Sequence, residues 1–118
     1  MPTLNDLGLS DYEARVYRAL LSAGSATAKE LSLTSDVPMG RVYDVLGSLE
    51  KNSLVRSQAA SRPKKYVAVE PETALERLVD EKKRELREEM DRYEDVADEL
   101  TEKLETTETV EERFWTAA

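Results

Sequence analysis

The most informative segment of the sequence is VPMGRVYDVLGSLEKNSLVRSQAASRPKKYVAV, residues 37–69. After a turn-forming proline, apolar residues recur at the i, i+3, i+4, i+7 spacing of a helix. These residues are Val42, Val45, Leu46 and Leu49. Two short strand-like runs follow, around residues 54–58 and 65–69, with a small, polar and basic turn between them. The segment predicts a helix over residues 38–51 and a β-hairpin with its tip at residues 59–64.

Two further helices are predicted upstream from their N-terminal signals. Residues 10–13 and 27–30 both have the S/T-x-x-E pattern of a capping box, in which the two side chains satisfy backbone amides at a helix start. They predict helices over about residues 11–23 and 28–34. Helix, helix, turn, helix and hairpin in this order indicate a mainly α fold with a small β hairpin, a winged helix-turn-helix over residues 1–70.

A long helix is predicted after this domain, over residues 71–105. Its apolar residues alternate at spacings of four and three, which is a heptad seam. We expect six of them to form a homodimer interface: Leu86, Met90, Tyr93, Ala97, Leu100 and Leu104. The rest of the chain is too short to cover the seam, so a second copy is expected to bury it in a coiled coil. Parallel and antiparallel pairing fit the seam equally, and residues 106–118 read as a tail.

The composition excludes most enzyme classes. The chain of 118 residues contains no His and no Cys, so the usual nucleophile pairs and zinc sites are absent. The acidic residues of the long helix fit a solvated face, and we expect neither a metal nor a cofactor. No apolar run reaches the roughly 18 residues needed to cross a bilayer, and the N-terminus does not resemble a secretory signal. The expected compartment is the cytoplasm.

The charge is unevenly distributed along the chain. The net charge is −8 overall, but residues 38–69 hold six basic and two acidic residues, which gives +4. A local basic face is what contact with phosphate requires, whatever the total charge. The middle of the chain is therefore the expected DNA-binding part.

The candidate DNA-binding residues lie on the helix at residues 38–51 and on the hairpin. The helix is expected in the major groove, with Arg41 forking onto a guanine or a phosphate and Asp44 holding the guanidinium. The hairpin, or wing, is expected to meet backbone or minor groove. The full candidate set is Met39, Gly40, Arg41, Tyr43, Asp44, Arg62, Lys64 and Lys65.

Several runs of the sequence resemble the N-terminal region of TrmB-family archaeal transcription regulators. They are LGLSDYEARVY at residues 7–17, TAKEL at 27–31, VPMGRVYDVL at 37–46 and PKKY at 63–66. The resemblance covers about residues 4–78 and implies a winged helix-turn-helix followed by a coiled coil. Many family members carry a further sugar-sensing domain, which we expect to be missing here, so sugar binding is not carried over.

Two functions fit these patterns. The first is a sequence-specific, homodimeric transcription regulator that binds double-stranded DNA. The second is a winged-helix adaptor that binds proteins and no DNA. The basic cluster on the helix and hairpin favours the regulator, because an adaptor has no need of it. The operator, the sign of regulation and any small-molecule effector cannot be read from the sequence.

Overall fold

Four α-helices and three short β-strands form the part of the chain that this computed structural model describes, residues 1–58, 60 and 62–107. The helices are α1 Asp11–Ala23, α2 Ala28–Ser35, α3 Met39–Lys51 and α4 Pro71–Thr107. The strands are β1 Ser25–Thr27, β2 Val55–Gln58 and β3 Lys65–Ala68. A turn of 3₁₀ helix, Leu4–Leu7, precedes α1. The predicted fold class is confirmed.

Both predicted capping boxes are formed. At α1, the Ser10 hydroxyl accepts from the backbone amide of Glu13, and the Glu13 carboxylate accepts from the Ser10 amide at 2.8 Å. Thr27 and Glu30 repeat this arrangement at α2. Each box satisfies amides that have no partner within the helix, which fixes where the helix starts.

A single apolar core joins α1, α2, α3 and the hairpin. The stripe predicted on α3 is buried as expected, and the largest fully buried side chains come from the three helices and from the residue that precedes β2. They are Tyr17, Leu20, Leu31, Leu46, Leu49 and Leu54. The Tyr17 hydroxyl donates to the carbonyl of Val69 at 2.7 Å, so this polar group is satisfied, and burial raises its pKa.

The sheet contains one strand that the sequence did not predict. Its order is β1-β3-β2, with both pairs antiparallel, and β1 places Ala26 opposite Tyr66. A strand of three residues is too short to show a period of two, so no pattern revealed it. Pairing with β1 ties the base of the hairpin to the start of α2.

The chain divides into two compact units, one of Met1–Lys82 and one that begins at Lys83. The first turns of α4 belong to the first unit, where Ala74 and Leu78 are buried in the core. The predicted long helix is confirmed. Residues 106 and 107, predicted as the start of the tail, instead continue α4, and the rest of the predicted tail, residues 108–118, lies outside the described residues.

Candidate nucleic-acid interface

The outward face of α3 is defined by the residues opposite its buried stripe. Gly40, Asp44 and Gly47 lie there and are exposed. A methyl group added to either glycine would meet no atom within 4 Å. Glycine weakens a helix relative to alanine. No atom of the described residues lies against these two positions, so the backbone of this face is open to close approach from outside.

Arg41 flanks this outward face on the side of α1. Its guanidinium carbon lies 5.5 Å from the ring centre of Tyr12, and that of Arg15 lies at the same distance from the same ring. Within the described residues no hydrogen bond or ion pair joins Arg41 to Asp44, so the expectation that Asp44 holds the guanidinium was wrong. The packing of α1 against α3 brings Tyr12 within reach instead.

A shallow cleft of about 400 Å³ opens at this flank. It is lined by Ser10, Asp11, Tyr12, Arg15, Arg41 and Val45. The single carboxylate, Asp11, accepts a hydrogen bond from Asn5 Nδ2 at 3.0 Å. Arg15 donates weakly to the backbone carbonyl of Asp36 at 3.4 Å and forms no ion pair in the described chain. Two guanidiniums over one aromatic ring favour an anionic group such as a phosphate.

The other flank of α3 faces the hairpin. Met39 and Tyr43 are 43% and 60% exposed, which is high for large apolar side chains. Tyr66 of β3 is buried, and the Lys64 ammonium lies 5.5 Å from its ring centre. Burial raises the pKa of the Tyr66 hydroxyl, and Glu50 and Tyr43 raise it further. The hairpin therefore places the Lys64 ammonium over the ring of Tyr66, whose hydroxyl interacts electrostatically with Tyr43 and Glu50 of α3.

The predicted wing residues divide into two groups. Arg62 and Lys64 are exposed beside the hairpin tip, of which residues 59 and 61 lie outside the described chain. Lys65 instead sits within the sheet, opposite Gln58 and Thr27. Its charge is near Glu30, whose pKa is lowered mainly by the capping hydrogen bonds with Thr27 and slightly by Lys65. Lys65 therefore differs from Arg62 and Lys64 in its place within the sheet and in its electrostatic interaction with Glu30.

Sequence reasoning missed three residues of this surface. Tyr12 and Arg15 were read only as parts of α1, because the contact between α1 and α3 has no sequence signal. Gly47 could have been found, since it lies seven residues after Gly40 and so on the same helix face. Tyr12 and Arg15 join the surface through the packing of α1 against α3, whereas Gly47 belongs to it through its position on the outward face of α3.

The apolar seam of α4 is exposed in the second unit. Its large side chains are 49–61% exposed, and Val96 beside them is 49% exposed. These residues are Leu86, Met90, Tyr93, Leu100 and Leu104. Their role in dimerisation stays a prediction.

The described residues form neither a metal-binding cluster nor a membrane-spanning helix. Across residues 1–58, 60 and 62–107, no three acidic side chains are grouped so that they could hold a metal ion. Over those ranges no helix has the length and apolarity to cross a bilayer. The candidate interface is therefore the surface built around α3.

The fold defines a winged helix-turn-helix protein. Residues 4–72 match the TrmB family, described as sugar-specific transcriptional regulators, and the chain belongs to this family. It is 42% identical over 94 residues to the DNA-binding HTH-type transcriptional repressor TrmBL2 of Thermococcus kodakarensis, covering 80% of this chain and 35% of that protein. It is 36% identical over 75 residues to the HTH-type sugar sensing transcriptional regulator TrmBL1 of Pyrococcus furiosus, covering 64% and 22%.

Solved structures agree with this assignment. TrmBL2, an archaeal chromatin protein whose structure shows a novel mode of DNA binding, matches with a TM-score of 0.76 and 36% identity, covering 88% of this chain and 40% of that chain. A MarR family protein from Bacillus stearothermophilus matches with a TM-score of 0.53 and 20% identity, covering 86% of this chain and 79% of that chain. This match is a likeness of fold alone. The chain spans about a third of the length of TrmBL2 (35%).

Proposed function

We propose that the chain is a transcription regulator that binds double-stranded DNA as a homodimer. The observation that carries the proposal is Arg41, an exposed guanidinium that lies over the Tyr12 ring at the first turn of α3 and forms no ion pair within the described residues. The first residues of a recognition helix are those that reach base edges in the major groove. Arginine is the side chain best suited to a bidentate contact with guanine.

The surroundings of Arg41 support contact with the DNA backbone on both sides of the groove. Arg15 adds a second guanidinium over the same Tyr12 ring, suited to a phosphate at the flank of the groove. On the opposite flank, Lys64 is suited to the neighbouring phosphates. Backbone contacts of this kind fix the register of the protein on the duplex, and base contacts choose the sequence.

The homodimer is supported by the exposed seam of α4. A lone helix leaves its apolar seam in water. Pairing with a second copy lowers the free energy by about 25 cal/mol for each Å² of apolar surface that is buried. A dimer also lets two recognition helices read two half-sites. A regulator that binds the chromosome of an archaeon acts in the cytoplasm, since that is where the chromosome lies.

The test compares the affinities of two duplexes for the Arg41→Ala variant. One duplex is selected from a random pool by the wild-type chain, and the other is its scrambled sequence. We expect a loss of about 1–3 kcal/mol on the selected duplex and a much smaller loss on the scrambled one. Arg41→Lys should restore little, because a point charge cannot copy the two-pronged contact.

Arg84→Ala is the matched control. It removes the same charge from α4, where Arg84 pairs with Glu88 at 3.3 Å, and should leave both affinities unchanged. Equal losses on both duplexes for Arg41→Ala would make Arg41 a phosphate contact. No loss on either would move recognition away from α3, and no wild-type binding at all would favour the protein adaptor.

A further inference from the structure

We propose that the second copy of the chain lies antiparallel along α4, with position 95 at the centre of the contact. The inference rests on the homodimer proposed above and adds its orientation and register. The six apolar seam residues, from Leu86 to Leu104, form a block in which every member has a counterpart at equal distance across position 95. Lys83, the preceding seam position, lies outside this block, so the apolar residues alone set the centre.

The sizes of the side chains favour this arrangement. Antiparallel pairing gives three kinds of layer: Leu86 with Leu104 of the partner subunit, Met90 with Leu100 of the partner subunit, and Tyr93 with Ala97 of the partner subunit. In a parallel pair the same positions meet, so one layer would hold two tyrosines and the next two alanines. A large residue opposite a small one fills a core evenly, whereas a crowded layer beside a hollow one costs stability.

The charges beside the seam point the same way. In a parallel coil Glu89 faces Glu94 of the partner subunit, which places like charges together twice by symmetry. In the antiparallel register Glu89 faces Lys103 of the partner subunit, which gives two attractive pairs. The antiparallel register does bring the two copies of Glu94 together, but only once. Flanking charges set helix orientation in coiled coils, and here two attractions outweigh one repulsion.

The side chains around the centre of the block are placed for such contacts. The Tyr93 hydroxyl donates to Glu89 Oε1 at 3.0 Å, which holds the carboxylate beside the seam. Val96 is 49% exposed at a flanking position next to the centre. In the antiparallel register it meets Val96 of the partner subunit and extends the apolar contact, whereas in a parallel coil it would face Thr101 of the partner subunit.

The absence of cysteine from the chain allows a direct test of orientation. Leu86→Cys and Leu104→Cys variants of the full chain, distinguished by mass, are oxidised separately and as a mixture. The antiparallel register brings the two positions together, so the mixture should form the mixed disulfide and neither variant should efficiently link to itself. A parallel coil would instead link each variant to itself.

A charge reversal tests the same inference without altering the seam. Glu89→Lys would face Lys103 of the partner subunit in the antiparallel coil and should raise the dimer dissociation constant on the order of tenfold. In a parallel coil it would face Glu94 of the partner subunit, and the constant should fall instead. Adding Lys103→Glu should restore the wild-type constant only if the helices are antiparallel.

The outcomes separate this inference from the proposed function. A wild-type chain that sediments as a monomer at tens of micromolar overturns the homodimer, and the orientation with it. A dimer that links Leu86→Cys to itself, or that is strengthened by Glu89→Lys, overturns the antiparallel register and leaves the homodimer intact. A mixed disulfide together with rescue by the double reversal establishes the antiparallel register.

Discussion

Replacing Gly47 or Gly40 with alanine should change stability and DNA affinity in opposite directions. Gly47 lies in the middle of α3, where a new methyl group meets no atom within 4 Å. Alanine is better than glycine inside a helix by about 1 kcal/mol, so Gly47→Ala should raise the free energy of unfolding by that amount. Gly40 lies in the first turn, where the gain should be smaller.

The expected shift in Tm follows from the size of the first unit. For a domain of 60–100 residues, about 1 kcal/mol corresponds to roughly 4–8 °C. The two sites are seven residues apart, about 10 Å along the helix axis, so their effects should add. Circular dichroism at 222 nm, followed during heating, measures this shift.

DNA affinity should fall because the two glycines face the space that the duplex would occupy. An added methyl group would hold α3 away from the groove and weaken base contacts that need close approach. We expect Gly47→Ala to lower the DNA affinity on the order of tenfold, about 1.4 kcal/mol. The loss of affinity should be larger for Gly40→Ala, since the first turn of a recognition helix enters the major groove most deeply. Fluorescence anisotropy with a labelled selected duplex measures it.

Gly24→Ala is the control for this prediction. Gly24 has φ 81° at the end of α1 and open space around it, so alanine there is strained without any clash. It should lower stability by about 1–2 kcal/mol and leave the DNA affinity of the folded protein unchanged. Stabilised Gly40→Ala and Gly47→Ala variants that bind DNA as well as the wild type would refute the reasoning about the outward face of α3.

Three other predictions follow from the same surfaces. Replacing Arg62 and Lys64 together with alanine should weaken selected and scrambled duplexes alike and lower the salt slope of binding by about two; a changed sequence preference would mean that the wing reads bases. Tyr12→Leu should lower DNA affinity on the order of tenfold, because Arg41 loses the ring that positions it, and should change the secondary structure little. An unchanged affinity would show that the ring is not needed. Leu100→Glu would bury a charge in the seam and should yield monomers in light scattering at tens of micromolar, whereas a persistent dimer would place the interface elsewhere.

Most of the fold follows from local signals in the sequence. Capping boxes at residues 10–13 and 27–30 mark helix starts, and a regular apolar stripe marks the buried face of α3. These signals act over a few residues, so they can be read without knowing the tertiary structure. Strand β1 was not predicted because its partner β3 lies about forty residues away and its three residues show no pattern of their own.

The candidate site was predicted less completely than the fold, because its geometry depends on contacts between elements. Arg41 was correctly expected to be exposed, but its neighbour is Tyr12 of α1 and not Asp44 of its own helix. Lys65 was grouped with Arg62 and Lys64 from the run of basic residues, yet the sheet register sets it beside Glu30. Charge counts along the sequence cannot separate a cation at the hairpin tip from one that the sheet places near a carboxylate.

The most direct measurement of the central claim is the affinity of the wild-type chain for random-sequence duplex DNA as a function of salt. A chain with net charge −8 binds a polyanion only if its basic residues are gathered on one face. We predict saturable binding at about 50 mM salt that weakens steeply, with a linear fall of log affinity against log salt, by about 200 mM. No binding at the lower salt concentration would contradict the account and leave the winged helix as a protein-binding module.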